Sequence, residues 1–206
     1  MNLAHKQGRQ GWRVTYCIVA FAIGLFLVVI AKSGFSEATV RLNIRLSAKI
    51  SLICFCLAFS ASSAYATFQN KVIRWLLKHR KYIGVAFALV HFIHLLFLIL
   101  LQVYFHPVFI VRPPLLIGLG GFAYLTILAM LLTSFDRFSG LISRAHWQRL
   151  HKYGGYWILI VFSNSIFTRV ILGQWVYVPF AFLLLFVWII RIVARTKNRS
   201  LRTKAS

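Results

Sequence analysis

Residues 82–105 read YIGVAFALVHFIHLLFLILLQVYF, 24 positions without one charged side chain. A helix needs about 20 mostly apolar residues to cross the hydrocarbon core of a bilayer, so this stretch decides the class of fold. It has counterparts along the chain. Residues 14–31, 50–70 and 113–135 are also free of charge, and residues 153–190 carry only Arg169 and break at Gly173-Gln174. The expectation is an all-α integral membrane protein: a six-helix transmembrane bundle, one domain over residues 1–206, with spans at about 14–32, 50–70, 82–105, 113–135, 152–172 and 175–193. The first apolar run is longer than a signal-peptide core, so it reads as a retained helix.

The formal charge of +22 arises from 24 Lys and Arg against two acids, Glu37 and Asp136. These cations cap the apolar runs instead of forming a soluble basic face, which argues against a nucleic-acid partner and for membrane lipid. Eighteen fall on one side of the six-span arrangement; six (Lys32, Arg41, Arg45, Lys49, Arg112 and Arg169) fall on the other. Positive residues stay cytoplasmic, so both termini are expected inside. Trp12, Trp75, Tyr82, Tyr104, Trp147 and Trp175 stand near span ends, as interfacial anchors do. The expected loops are short, the longest being about 32–49 and 136–152.

Several function classes drop out. There is no Walker loop, no G-x-G-x-x-G fingerprint and no room for a soluble nucleotide domain. Two carboxylates cannot build a proton relay, which argues against a proton-coupled transporter. Cys17, Cys54 and Cys56 have neither zinc spacing nor a disulfide pattern and read as small packing residues. Gly118-Leu-Gly-Gly121 and Ser60-Ala-Ser-Ser-Ala64 read as small-residue faces for close helix packing.

Chemistry must therefore lie between the helices, and the histidines are the candidates. His5 and His79 sit in basic, solvated segments, and His106 and His146 at span edges. His91 and His94 lie roughly 13 and 18 Å beyond Tyr82 at 1.5 Å per residue, and their three-residue spacing puts them on one face. Ionisable residues at that depth point to function. His151 opens the fifth span, which runs parallel to the third, level with Arg80 and Lys81. Neutral imidazole is an axial ligand of haem iron. Two stacked levels follow: an inner one at His151, with Arg80, Lys81, Arg149 and Lys152 as counter-ions, and an outer one at His91 and His94. Zinc or copper fits less well, because no carboxylate or thiolate is near in sequence.

These residues resemble the ferric reductase-like transmembrane domain family, and within it the haem-binding membrane subunits of bacterial periplasmic methionine sulfoxide reductase systems. The resemblance covers about residues 74–172. HRKYIGVAFALVHFIHLLFL (79–98) resembles the family's basic pair, L-G and helix with a haem-ligand histidine ten residues after the glycine, which is His94 here. VRPPLLIGLGG (111–121) resembles its R-P loop and fourth helix. LTSFDRFSGLISRAHWQRLHKYGGYW (132–157) resembles its L-T-S, basic loop and W-x-x-L-H, with Trp147 and His151 in the last two places. The family has a second histidine 13 residues after His151, where this chain has Asn164, which is not a competent axial ligand.

The resemblance implies haem b, one or two per chain, with His151 and His94 as iron ligands, His91 as substitute and Arg80 assisting the inner site. At the outer level it leaves three arrangements open: His94 alone, a shifted haem using His91, or no haem. It further implies FMN as an additional cofactor, quinol or a cytosolic flavin reductase as donor, and a periplasmic reductase catalytic subunit of molybdenum-cofactor type or a metal chelate as acceptor, all at a bacterial inner membrane. The competing reading is a non-redox membrane interaction or assembly protein that keeps the scaffold without haem.

Overall fold

The computed structural model describes residues 3–106, 114–140 and 142–203; Arg112, Lys204 and the loop before Pro114 lie outside them. Each long α-helix follows from an apolar run and its flanking stop signals. Helix α1 spans Leu3–Ser33 and ends at Gly34, whose φ of 68° suits a residue without a Cβ. Ser36 then caps α2 (Glu37–Phe68) through Thr39 N at 3.3 Å. Gln69 at φ 43° and the Asn70 cap, which accepts from Ile73 N at 2.8 Å, turn the chain straight into α3 (Lys71–Phe105). Helix α4 (Pro114–Leu132) and the single turn α5 (Asp136–Ser139) precede α6 (Arg144–Ile171), capped by Ser143. Gly173 at φ 78° and a 3₁₀ turn at Trp175–Tyr177 lead into α7 (Val178–Thr203).

Among the described residues all regular structure is helical. Five segments are long and apolar enough to cross a membrane: Gln10–Ser33, Glu37–Phe68, Lys71–Phe105, Arg144–Ile171 and Trp175–Lys197. The apolar stretch Gly118–Leu132 within α4 is shorter. The protein is built as a multi-pass helical membrane protein.

Helix α2 is the central element. It packs most extensively on α3 and also meets α1 and α7, while α4 packs on α6 and α6 on α7. One core joins Leu52 and Phe55 of α2, Ile83 and Phe87 of α3, and Leu159 and Phe162 of α6 with Leu184 and Val187 of α7. A second joins Phe26 of α1, Val40 of α2, and Val90, Phe97 and Leu101 of α3. Helices α3 and α6 are not a closely packed pair. Large side chains bridge the space instead, with the Phe87 and Phe162 rings edge to face at 6.3 Å.

Four sequence expectations change. The loops expected at 32–49 and 136–152 are largely helical, because cations at 41, 45 and 49 repeat every fourth residue and leave Thr39, Asn43 and Ser47 buried on the opposite face. At 32 residues, α2 is about 48 Å long and outreaches the hydrocarbon core. Gly118, Gly120 and Gly121 make no close approach, since a Cβ at any of them would meet nothing within 4 Å. The close approaches fall elsewhere: a Cβ added at Gly154 would lie 2.8 Å from Thr126 Cγ2, and one at Gly11 or Gly155 would run into the ring of Tyr82 or Phe59. Cys17 is exposed, while Cys54 and Cys56 are buried. His79 is buried, stacked on Trp75 at 4.5 Å with Nδ1 2.8 Å from the Trp75 carbonyl. The Ser60–Ala64 face does pack as expected, with Ser60, Ala61, Ser63 and Ala64 buried.

The Phe59 ring cannot retreat from a new methyl group, because it is stacked on Phe55 at 5.3 Å and lies beneath the Arg191 guanidinium at 3.9 Å. Gly155→Ala should therefore lower stability by about 1–3 kcal/mol. Gly120→Ala should leave stability unchanged or raise it by about 0.5–1 kcal/mol. Thermal melts in detergent check the pair, and equal responses would contradict this packing.

Candidate functional site

A cavity of about 620 Å³ opens between α3 and α6, with α2, α4 and α7 completing its wall. That is within the usual range for a cofactor pocket. Phe55, Phe59, Phe87, Ile127 and Leu131 make one side apolar. Arg80, Lys81, Lys152 and Arg191 bring four cations to it, and among the described residues no carboxylate lines it.

His151 is on this wall, and Thr133 positions it. The Thr133 hydroxyl donates to the Ala129 carbonyl at 2.7 Å and lies 3.2 Å from His151 Nε2, while the Thr133 carbonyl accepts from Trp147 Nε1 at 3.1 Å. Trp147, one turn before His151, lies against its ring at 4.3 Å. The L-T-S and W-x-x-L-H segments thus meet at one residue. With the Thr133 hydroxyl proton committed to Ala129, His151 Nε2 donates to Thr133 Oγ1, so to bind a metal Nε2 must give up this bond and the ring must carry its proton on Nδ1.

Arg80 is on the same wall, donates to Ser62 Oγ and is within electrostatic range of His151. Arg149 is exposed and is not part of the lining, contrary to its assignment as a counter-ion. Arg191 takes that place. Its Nε donates to Tyr156 Oη at 2.8 Å and its Nη1 to the Phe59 carbonyl at 3.0 Å, with both aromatic rings against the guanidinium. Sequence reading missed Arg191 because a cation near the end of a span also serves topology. A smaller adjoining pocket of about 140 Å³ shares Ser62 and Arg191 and adds Arg195.

The outer level is built differently. His91 and His94 both turn Nδ1 toward α2, to Ser51 Oγ (3.1 Å) and Ser47 Oγ (3.1 Å). Their rings stack side by side at 5.3 Å and 27°. Two ligands of one iron approach from opposite faces, so this pair cannot serve a single haem together. Tyr124 of α4 covers His91 at 4.9 Å and Phe162 meets it at 5.6 Å. Asn164 is exposed, while the adjacent Ser163 is buried and accepts from Trp188 Nε1 at 3.1 Å. Asn43, wholly buried one turn from Ser47, has no partner among the described residues for either amide atom. Among the described residues no three His, Cys, Asp or Glu side chains gather to hold a bare metal ion. The single imidazole of His151 beside the apolar wall of the cavity is instead the donor pattern that suits a macrocycle.

No protein-family model matches the chain, and no curated protein matches its sequence.

Arg191→Leu removes two charge-assisted hydrogen bonds and takes from the Tyr156 hydroxyl its donor. It should cost about 2–3 kcal/mol, read as a lower melting temperature in detergent. Arg191→Lys should recover only part of the loss, because an ammonium cannot present the planar fork. Full recovery by Lys would contradict the clamp.

Proposed function

We propose that this chain is a b-type haem membrane subunit that passes electrons across a bacterial inner membrane, with α4 completing a six-span bundle and both termini cytoplasmic. The cation-rimmed, apolar cavity beside His151 carries the reading. Its chemistry suits an amphiphilic dianion: apolar walls for a ring system, an imidazole nitrogen for a metal, and Arg80, Lys81, Lys152 and Arg191 for carboxylates. Bound haem supplies a one-electron couple whose potential depends on its axial ligand and surroundings.

His151 is the inner iron ligand in this reading. His94 serves the outer level, with His91 as its substitute. Arg80 and Arg191 hold negative charge at the cytoplasmic side, where FMN would also dock. The low-dielectric walls keep water from the path. Electrons come from quinol or a cytosolic flavin reductase and leave to a periplasmic oxidoreductase of the methionine sulfoxide reductase type, carrying a molybdenum cofactor, or to a ferric chelate. The likeness of Arg74–Leu172 to the ferric reductase-like family supports this direction.

One observation favours the second reading, a non-redox membrane interaction or assembly protein that keeps the scaffold without haem. Asn164 replaces the second histidine and is exposed, and the His91 face is occupied by Tyr124 and Phe162.

Vesicles reconstituted with the full chain, with reduced flavin or quinol outside and ferricyanide trapped inside, test transfer directly. The trapped acceptor should be reduced, and His151→Ala or His94→Ala should slow that reduction at least about tenfold, equivalent to 1.4 kcal/mol in the barrier. A wild-type rate equal to that of protein-free vesicles contradicts the proposal. Asn164→His should raise the six-coordinate share of the haem spectrum; no change would assign the outer level a single ligand.

A further inference from the structure

The two outer histidines differ in how α2 holds them. His94 Nδ1 lies 3.0 Å from the Ile44 carbonyl and 3.1 Å from Ser47 Oγ. A carbonyl only accepts, so Nδ1 carries the proton. Ser47 agrees with that assignment. Its single hydroxyl proton is directed at backbone carbonyls, Asn43 O at 2.7 Å and Ile44 O at 3.0 Å, which leaves an oxygen lone pair for His94. Ser47 is wholly buried, so bulk water does not compete for these groups. In the neutral ring the free lone pair is then on Nε2. His91 has only the hydroxyl half of this arrangement: Ser51 Oγ donates to Ala48 O at 3.0 Å and stands 3.1 Å from Nδ1.

We propose that Ser47 and the Ile44 carbonyl are a positioning pair that holds His94 in its Nδ1–H tautomer and thereby makes Nε2 the nitrogen offered to iron. The tautomer half stands on the hydrogen bonds alone; the iron half rests on the haem reading above. The pair explains why His94, and not His91, is the better-prepared ligand on α3. A second acceptor on Nδ1–H both orients the ring and strengthens the donor nitrogen, as partners of metal-bound histidines do. Ser47 is therefore a positioning residue acting through His94.

The test uses the full chain, labelled with ¹⁵N-histidine and purified in detergent, with the His94 signals identified by their loss in His94→Gln. In haem-free chain, wild type should show His94 as the Nδ1–H tautomer. Ser47→Ala should lower the Nδ1–H to Nε2–H ratio by up to about tenfold, the worth of one net hydrogen bond, and Ser47→Thr should restore it. Where haem is bound, Ser47→Ala should raise the reduction potential with haem content unchanged, because a weaker donor favours the ferrous state, and Thr should again rescue. His94 found as Nε2–H in the haem-free wild type, or a tautomer ratio or potential indifferent to Ser47→Ala, would overturn the proposal. A chain with no Soret band would defeat the electron-transfer reading, yet the tautomer measurement would still decide this one.

Discussion

The scarcity of carboxylates governs this molecule. Of the two acids in the chain, Glu37 is committed to Arg41 at 2.6 Å, and among the described residues no acid lines the cavity. Cations that approach the bundle must use neutral acceptors and aromatic faces. Arg191 takes a carbonyl, a phenol and two rings. Arg169 takes Tyr177 and Gln174, and Lys49 lies over the rings of Tyr177 and Phe180. These contacts orient the cations without neutralising them. Arg80, Lys152 and Arg191 bring positive charge to the cavity beside His151, and low-dielectric surroundings strengthen the attraction of such charge for an anion.

The same constraint separates the two histidine levels. The inner one joins His151 to cations from α3, α6 and α7 around an open space. The outer one is held by α2, where hydroxyls and a carbonyl orient His91 and His94. Electron transfer between two such levels would run along the α3 face that carries Phe87, His91 and His94. Phe162 of α6 closes that face against Phe87 and His91.

Much of this architecture was legible in the sequence, for identifiable reasons. Long uncharged runs have only one stable solution in lipid, so the helical membrane class followed directly. The placing of His91 and His94 on one face of α3 followed from their three-residue spacing, and both are half-buried there. What the chain hid was pairing across sequence. Ser47 and Ser51 lie 47 and 40 residues from their histidines. Ser47 also fell in a stretch that Arg41, Arg45 and Lys49 made look like a loop. Arg191 read as a topological cation because nothing local announces Phe59 or Tyr156. The glycines misled in the opposite sense: three in Gly118–Gly121 suggested a packing motif, whereas Gly154 and Gly155, unremarked, are the ones that admit Thr126 and Phe59. His79 had been placed in water by its basic neighbours, but the helix turns it onto Trp75.

The visible spectrum of the purified full-length chain, reduced with dithionite and compared with its oxidised form, tests the central claim most directly. The account predicts a Soret band and a sharp α-band, both diminished in His151→Ala. A spectrum with neither band in protein expressed with ample haem would contradict it.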